Sequence, residues 1–210
     1  MRNGFYTEAM FTVAGRRRHQ IDPIKGSRFI TTLAPVSSEA EAKALVVDVS
    51  SELSDASHHC TAWRIARPMV DRCGDDGEPS GSAGRPILAQ LKGRELVNVA
   101  VVVTRYFGGT KLGVGGLVRA YGGAAAAALD VADVVAYRPQ VQIRIAVEYG
   151  DAEPAQRAID ETGAEIIATA YEQAVEFTVM VAESAIGNLD SAVAEATAGR
   201  ALVEPGRFDL

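Results

Sequence analysis

The sequence lacks most of the features that mark specialised protein classes. It has two cysteines in 210 residues, Cys60 and Cys73, too few for a disulfide framework. It has no C-x2-C or H-x3-H pair, so a structural zinc site would miss its usual ligand spacing. No apolar run approaches the about 20 residues of a membrane-spanning helix. Met1 to Met10 contain no apolar core of a secretory signal. The glycine-rich segments contain neither G-x-x-x-x-G-K-[ST] nor a clean G-x-G-x-x-G, so the standard nucleotide motifs fail. These absences predict a cytoplasmic protein with reduced thiols, no membrane contact, no cofactor and no metal.

What is present describes an ordinary globular chain. Apolar residues make up 48% and charged residues 23%, enough apolar surface for a real core. The net charge of −6 is unevenly spread. Residues 1–136 carry 16 Lys+Arg against 14 Asp+Glu, whereas residues 137–210 carry 5 against 13. Counterion release needs cations, so any nucleic-acid contact is expected in the first part.

Hydrophobic periodicity then divides the chain. Residues 5–21 alternate weakly, which suggests one or two strands, and 28–33 reads as another that Pro35 ends. Ser38 and Glu41 form a capping box before an amphipathic helix over 38–55. Residues 59–67 read as a strand, 71–86 mostly as loop, and 87–94 as a segment that starts with a short helix over Ile87 to Leu91. The nearly continuous apolar run from Val97 to Phe107 fits a strand buried on both faces. Glycines follow, then an alanine-rich helix from Leu117 to Leu129, with Ala124 to Ala128 set for close packing on a sheet.

Tyr137-Arg138-Pro139 is read as an inter-domain joint. Beyond it come a strand (141–147), a helix capped by Asp151 and ended by Gly163, and a hairpin of 164–171 with 174–182. A helix capped by Ser184 and a last strand near 200–204 complete the part. The order β-α-β-β-α-β is that of a split βαβ, ferredoxin-like domain.

The chemistry concentrates between Asp71 and Tyr121. Seven of the 20 glycines lie between Gly108 and Gly123. Between a buried strand and a helix start, Gly108, Gly109, Gly113, Gly115 and Gly116 let backbone N–H groups converge on an anion. For Gly122 and Gly123 tight packing is an equal explanation. Lys111 adds a point charge. Arg119 is placed in the first helical turn, where a cation needs an acidic partner or an anionic ligand. Asp75, Asp76 and Glu78 are the candidate partners, in a loop that continues to Ser80 and Gly81. Arg105 points to the same rim, and Tyr121 closes the segment. The acidic loop could ligate a divalent cation, but an Asp-Gly and Pro-Ser-Gly turn is the preferred reading. His58, His59 and Cys60 are read as packing residues, and Arg16 to Arg18 as a solvated strand or edge.

These residues resemble a known family. Asp75-Asp76-Gly77-Glu78-Pro79-Ser80-Gly81, Gly84-Arg85-Pro86-Ile87-Leu88, and Val101 to Gly109 (Val-Val-Val-Thr-Arg-Tyr-Phe-Gly-Gly) carry the likeness. Lys111-Leu112-Gly113 and Gly115-Gly116-Leu117-Val118-Arg119-Ala120-Tyr121 extend it, with Lys25 to Ile30 and His59 to Trp63. Together they look like the IMPACT/YigZ family in its two-domain bacterial form, without the RWD domain of eukaryotic relatives. The resemblance implies an α+β protein. Its first domain (1–136) would share the fold of a small-subunit ribosomal protein, domain IV of elongation factor G and GHMP-type kinases. Its second (137–210) would be ferredoxin-like, similar to the C-terminal domain of elongation factor G. It implies a translation-linked, non-catalytic role in contact with RNA, the ribosome or a translation factor. The competing reading is an enzyme for a small phosphorylated or carboxylated substrate, with Asp76 or Glu78 as base or metal ligand. The oligomeric state is left open.

Overall fold

The computed structural model describes residues 10–205, so the part of the first expected strand region before Met10 lies outside the described residues. The chain divides into two compact units between Tyr137 and Arg138. Both mix helix and antiparallel sheet, which makes the protein α+β.

The first unit begins with β1 (Phe11–Val13), β2 (Arg17–Gln20), β3 (Arg28–Pro35) and α1 (Glu39–Glu52). It continues through β4 (His58–Ile65), β5 (Val70–Gly74), α2 (Gly84–Gly93), β6 (Val99–Tyr106), α3 (Val114–Asp130) and β7 (Val134–Ala136). Five strands form one antiparallel sheet in the order β2-β3-β6-β4-β5, and β1 pairs with β7. The apolar run in β6 has a simple cause. Val99, Val101 and Val103 face one core with Phe29, Leu33, α2 and α3, whereas Ala100 and Val102 face a second core under α1. A strand covered on both sides has no solvent face on which to place polar residues. The alanines of α3 allow close approach: Ala124, Ala125 and Ala128 are buried, and the Thr31 hydroxyl donates to the Ala124 carbonyl at 3.1 Å.

Several local expectations change. Residues 71–86 include β5 and the start of α2, because a strand edge and a helix start can both be built from Asp, Gly and Ser. Pro35 is the last residue of β3, which therefore runs two residues past the expected 33 and ends at the proline. Ser38 does accept the Glu41 N–H at 3.2 Å, but the Glu41 carboxylate reaches back to the N–H and hydroxyl of Ser37 instead of Ser38.

The second unit runs β8 (Gln140–Val147), α4 (Ala152–Glu161), β9 (Glu165–Tyr171), β10 (Val175–Ala182), α5 (Ile186–Ala196) and β11 (Leu202–Pro205). Its antiparallel sheet has the order β11-β8-β10-β9. Val141, Ile143, Ile145 and Val147 turn one face of β8 toward Ile159, Phe177, Leu189 and Val193. Neither expected helix cap forms. Asp151 pairs with Arg200 at 2.7 Å, and a short 3-10 turn over Glu183–Ala185 leads into α5 without a side-chain cap.

Candidate functional site

Two tight turns build the site. In the first, Ile24 and Ser27 exchange backbone hydrogen bonds of 2.9 and 3.0 Å across Lys25-Gly26, both at positive φ. In the second, the Glu78 N–H returns to the Asp75 carbonyl at 2.9 Å across Asp76-Gly77, also both at positive φ. Each is a turn with two left-handed central residues, a geometry that glycine relieves at the second position.

The acidic loop is held by its own carboxylates. Asp75 accepts the N–H groups of Gly81 (2.8 Å), Ala83 (2.9 Å) and Gly84 (2.8 Å), and so satisfies the start of α2 from outside that helix. Burial acts to raise its pKa, but those N–H groups, with nearby Arg85, outweigh it and hold Asp75 below the ordinary aspartate value. Asp76 accepts the His59 N–H at 2.6 Å, and its carbonyl takes a 2.7 Å bond from His58 Nδ1. A carbonyl only accepts, so Nδ1 carries the proton. Ser80 is exposed within the loop.

Glu78 is the hinge of the arrangement. One carboxylate oxygen receives Arg105 Nη1 at 2.6 Å and the Tyr121 hydroxyl at 2.7 Å. The Glu78 and Arg105 side chains are each only 5% exposed. Arg105 Nη2 also donates to the Ser27 hydroxyl at 3.1 Å, and its guanidinium lies 5.7 Å from the Phe29 ring centre and 5.5 Å from that of Phe107. Tyr121 meets Phe29 edge to face at 5.3 Å. Burial, then the neighbouring Cys60 thiol and Glu78, push the Tyr121 hydroxyl far above its ordinary pKa, so it stays protonated and donates. Burial likewise pushes Cys60 up to about 12, and its thiol donates to the Asp75 carbonyl at 3.0 Å. The thiol is therefore not an available nucleophile.

The glycine-rich turn faces outward instead. Gly108 is clamped: a Cβ there would lie 1.9 Å from the Gly26 carbonyl carbon. Its N–H bonds to the Ser27 hydroxyl at 3.2 Å. Gly109 and Gly113 adopt positive φ, and no side chain caps the start of α3. Gly115 and Gly116 lie in its first turn. A Cβ on Gly123 would meet nothing within 4 Å, so close packing does not account for that glycine.

Arg119 falls in the second turn of α3, because the helix begins at Val114 rather than at Leu117. It forms no ion pair with Asp75, Asp76 or Glu78, which are bound elsewhere. Lys25, Lys111 and Arg119 are all exposed, and none of the three forms an ion pair among the described residues. Lys25, Arg119, Ile24, Leu112, Gly116 and Ala120 line a cavity of about 250 Å³. By contrast, Arg16 and Arg18 pair with Glu52, and Arg17 with Asp133.

The sequence-predicted residues therefore fall into two groups, and Ser27 links Arg105 of the first to Gly108 at the start of the glycine turn. Arg105, Tyr121 and the acidic loop form a polar cluster in the fold. Arg119 and Gly116 line the open cavity beside Lys25, and Lys111 is exposed in the loop just before α3; together these make up the cationic corner. Ser27, Phe29, His58 and Lys25 were not singled out as site residues. The glycine of the Lys25-Gly26 pair is the one turn signal near two of them, since lysine lacks the local hydrogen bonding that makes Asp-Gly a turn former.

The molecule is thus a two-domain α+β protein in which a hydrogen-bonded acidic loop supports a cationic glycine turn. The Impact N-terminal domain matches residues 25–129, and the domain of unknown function DUF1949 matches residues 145–200. IMPACT family member YigZ of Escherichia coli (strain K12) is 36% identical over 85% of this chain and 89% of its own length. IMPACT family member YvyE of Bacillus subtilis (strain 168) is 35% identical over 94% and 91%. The yeast Protein IMPACT homolog (Saccharomyces cerevisiae) is 36% identical over 44% of this chain and 38% of its own. A crystal structure of an hypothetical protein superposes with a TM-score of 0.76 at 32% identity, over 96% of this chain and 98% of that one. The chain belongs to the IMPACT family.

Proposed function

We propose that this protein is a non-catalytic, cytoplasmic, translation-linked binding protein whose first domain holds RNA, free or within the ribosome. One observation carries this reading. Lys25, Lys111 and Arg119 are exposed and, among the described residues, without an ion-pair partner, while Asp75, Asp76 and Glu78 are hydrogen-bonded within the fold. Free cations beside an uncapped helix start favour phosphate. Arg105, buried against Glu78, acts as a support for the turn and not as a ligand contact. The acidic balance of residues 137–210 favours the first domain as the place of contact. We read the second domain as ferredoxin-like, from its β-α-β-β-α-β order and its strand order.

The enzymatic alternative is less well supported, because it needs an available carboxylate. Glu78 is committed to Arg105 and Tyr121, and Asp76 Oδ2 to the His59 N–H. Among the described residues no three His, Cys, Asp or Glu side chains gather around one point.

Co-sedimentation with ribosomes and capture of total RNA at low salt test the proposal. The wild type should come down with RNA or ribosomes, and the Lys111→Ala, Arg119→Ala double variant should do so far more weakly. A wild type that captures neither, or a variant that captures both equally, would end it. A thermal-shift screen with nucleotides and Mg²⁺ addresses the alternative: strong stabilisation by one nucleotide with metal would revive it.

A further inference from the structure

The cationic corner also carries an aromatic surface that phosphate binding does not explain. Phe107 is 50% exposed although it directly follows the most buried strand of the sheet. Its backbone is rigidly mounted. The Phe107 N–H donates to the Ser57 hydroxyl at 3.1 Å, and the next N–H, of Gly108, donates to Ser27 at 3.2 Å. Arg105 lies 5.5 Å from the ring centre and is itself held by Glu78. Lys25 is next to Gly26, whose backbone packs directly against Gly108, so a cation and the ring flank one backbone contact. Val114 and Val118 are also exposed on α3, the helix that carries Arg119.

An exposed aromatic ring on an anchored backbone, close along the chain and across the Gly26–Gly108 contact to exposed cations, is an arrangement that suits single-stranded nucleic acids. Phosphates track the cations, and an unstacked base lies on the ring. In a duplex the base faces are covered by their neighbours, so the ring would find no partner there. We propose that this corner takes single-stranded RNA, with one base stacked on Phe107 and the flanking phosphates against Lys25, Lys111 and Arg119; this rests on the RNA-binding reading above. The ring selects for an unpaired segment, and the cations supply attraction regardless of sequence.

The test uses the full chain and a short RNA carrying 2-aminopurine, alone and annealed to its complement. At low salt the single strand should bind with quenching of the fluorophore, and the duplex should bind clearly more weakly. Phe107→Leu keeps an apolar side chain but removes the ring, and should weaken single-strand binding by roughly 5- to 150-fold. Phe107→Tyr should retain both affinity and quenching. Equal affinity for duplex and single strand, or unchanged quenching in Phe107→Leu, would overturn the stacking inference while leaving RNA binding intact. Competition by polyglutamate as effective as by RNA would also overturn it, since a peptide offers no base. Failure of both RNA forms to bind at low salt would overturn the inference together with the reading beneath it.

Discussion

A carboxylate and a guanidinium buried together pay desolvation twice, so the pair persists only when every remaining polar group finds a partner. Glu78 and Arg105 partly meet that condition through Tyr121 and Ser27, while the fully buried Arg105 Nε has no hydrogen-bond partner among the described residues. Glu78→Gln leaves the buried guanidinium without its counter-charge and should cost about 3 kcal/mol in urea unfolding. Arg119→Ala, at an exposed unpaired site, should stay within about 0.5 kcal/mol of wild type. Asp75 adds a pH signature. Its folded pKa lies below the ordinary 3.8. Its contribution is therefore complete above that value and is lost as pH falls through the lower, folded pKa. Asp75→Asn should be destabilised by about 1–3 kcal/mol at neutral pH and should lose stability less steeply under acid, followed by circular dichroism. The two thiols separate as well. A thiol reagent should modify exposed Cys73 in the native protein and reach buried Cys60 only after unfolding.

At the scale of elements, the glycines divide by cause. Gly108 is required by a backbone crossing, since its Cβ would overlap Gly26. Gly108→Ala should lose about 2 kcal/mol or more and disturb the Lys25 turn. Gly123→Ala meets open space in a helix interior and should stabilise α3 by about 0.5–1 kcal/mol. Comparing the two melting temperatures checks both. The same distinction explains what could be read from sequence. β6 and α1 were legible because their periodicity is physical: β6 faces two cores, and α1 buries Ala42, Leu45 and Val49 on one face. β5 was not, since Asp71, Arg72 and Cys73 lie on a partly exposed edge strand where composition matches a loop. The glycine turn and the acidic loop were both identifiable as segments. Their partners were not, because Glu78 to Arg105 spans 27 residues and Ser27 to Arg105 spans 78. Helical spacing could place Arg119 near the start of α3, but could not show that nearer groups had already satisfied the carboxylates.

Over the whole molecule, charge separates support from contact. Within the first domain, the basic run Arg16 to Arg18 is paired with Glu52 and Asp133, whereas Lys25, Lys111 and Arg119 have no ion-pair partner among the described residues. The second domain carries 5 basic residues against 13 acidic ones over residues 137–210 and should repel a polyanion. Residues 1–137 expressed alone should therefore bind RNA more tightly than the full chain at low salt, with the difference fading as salt screens it. The most direct measurement is the salt dependence of RNA affinity in the full chain, wild type beside the Lys111→Ala, Arg119→Ala double variant. Three phosphate contacts predict a log–log slope of about −2 for a single strand, falling by about 1.4 in the double variant. An unchanged slope would contradict the assignment of binding to the glycine corner.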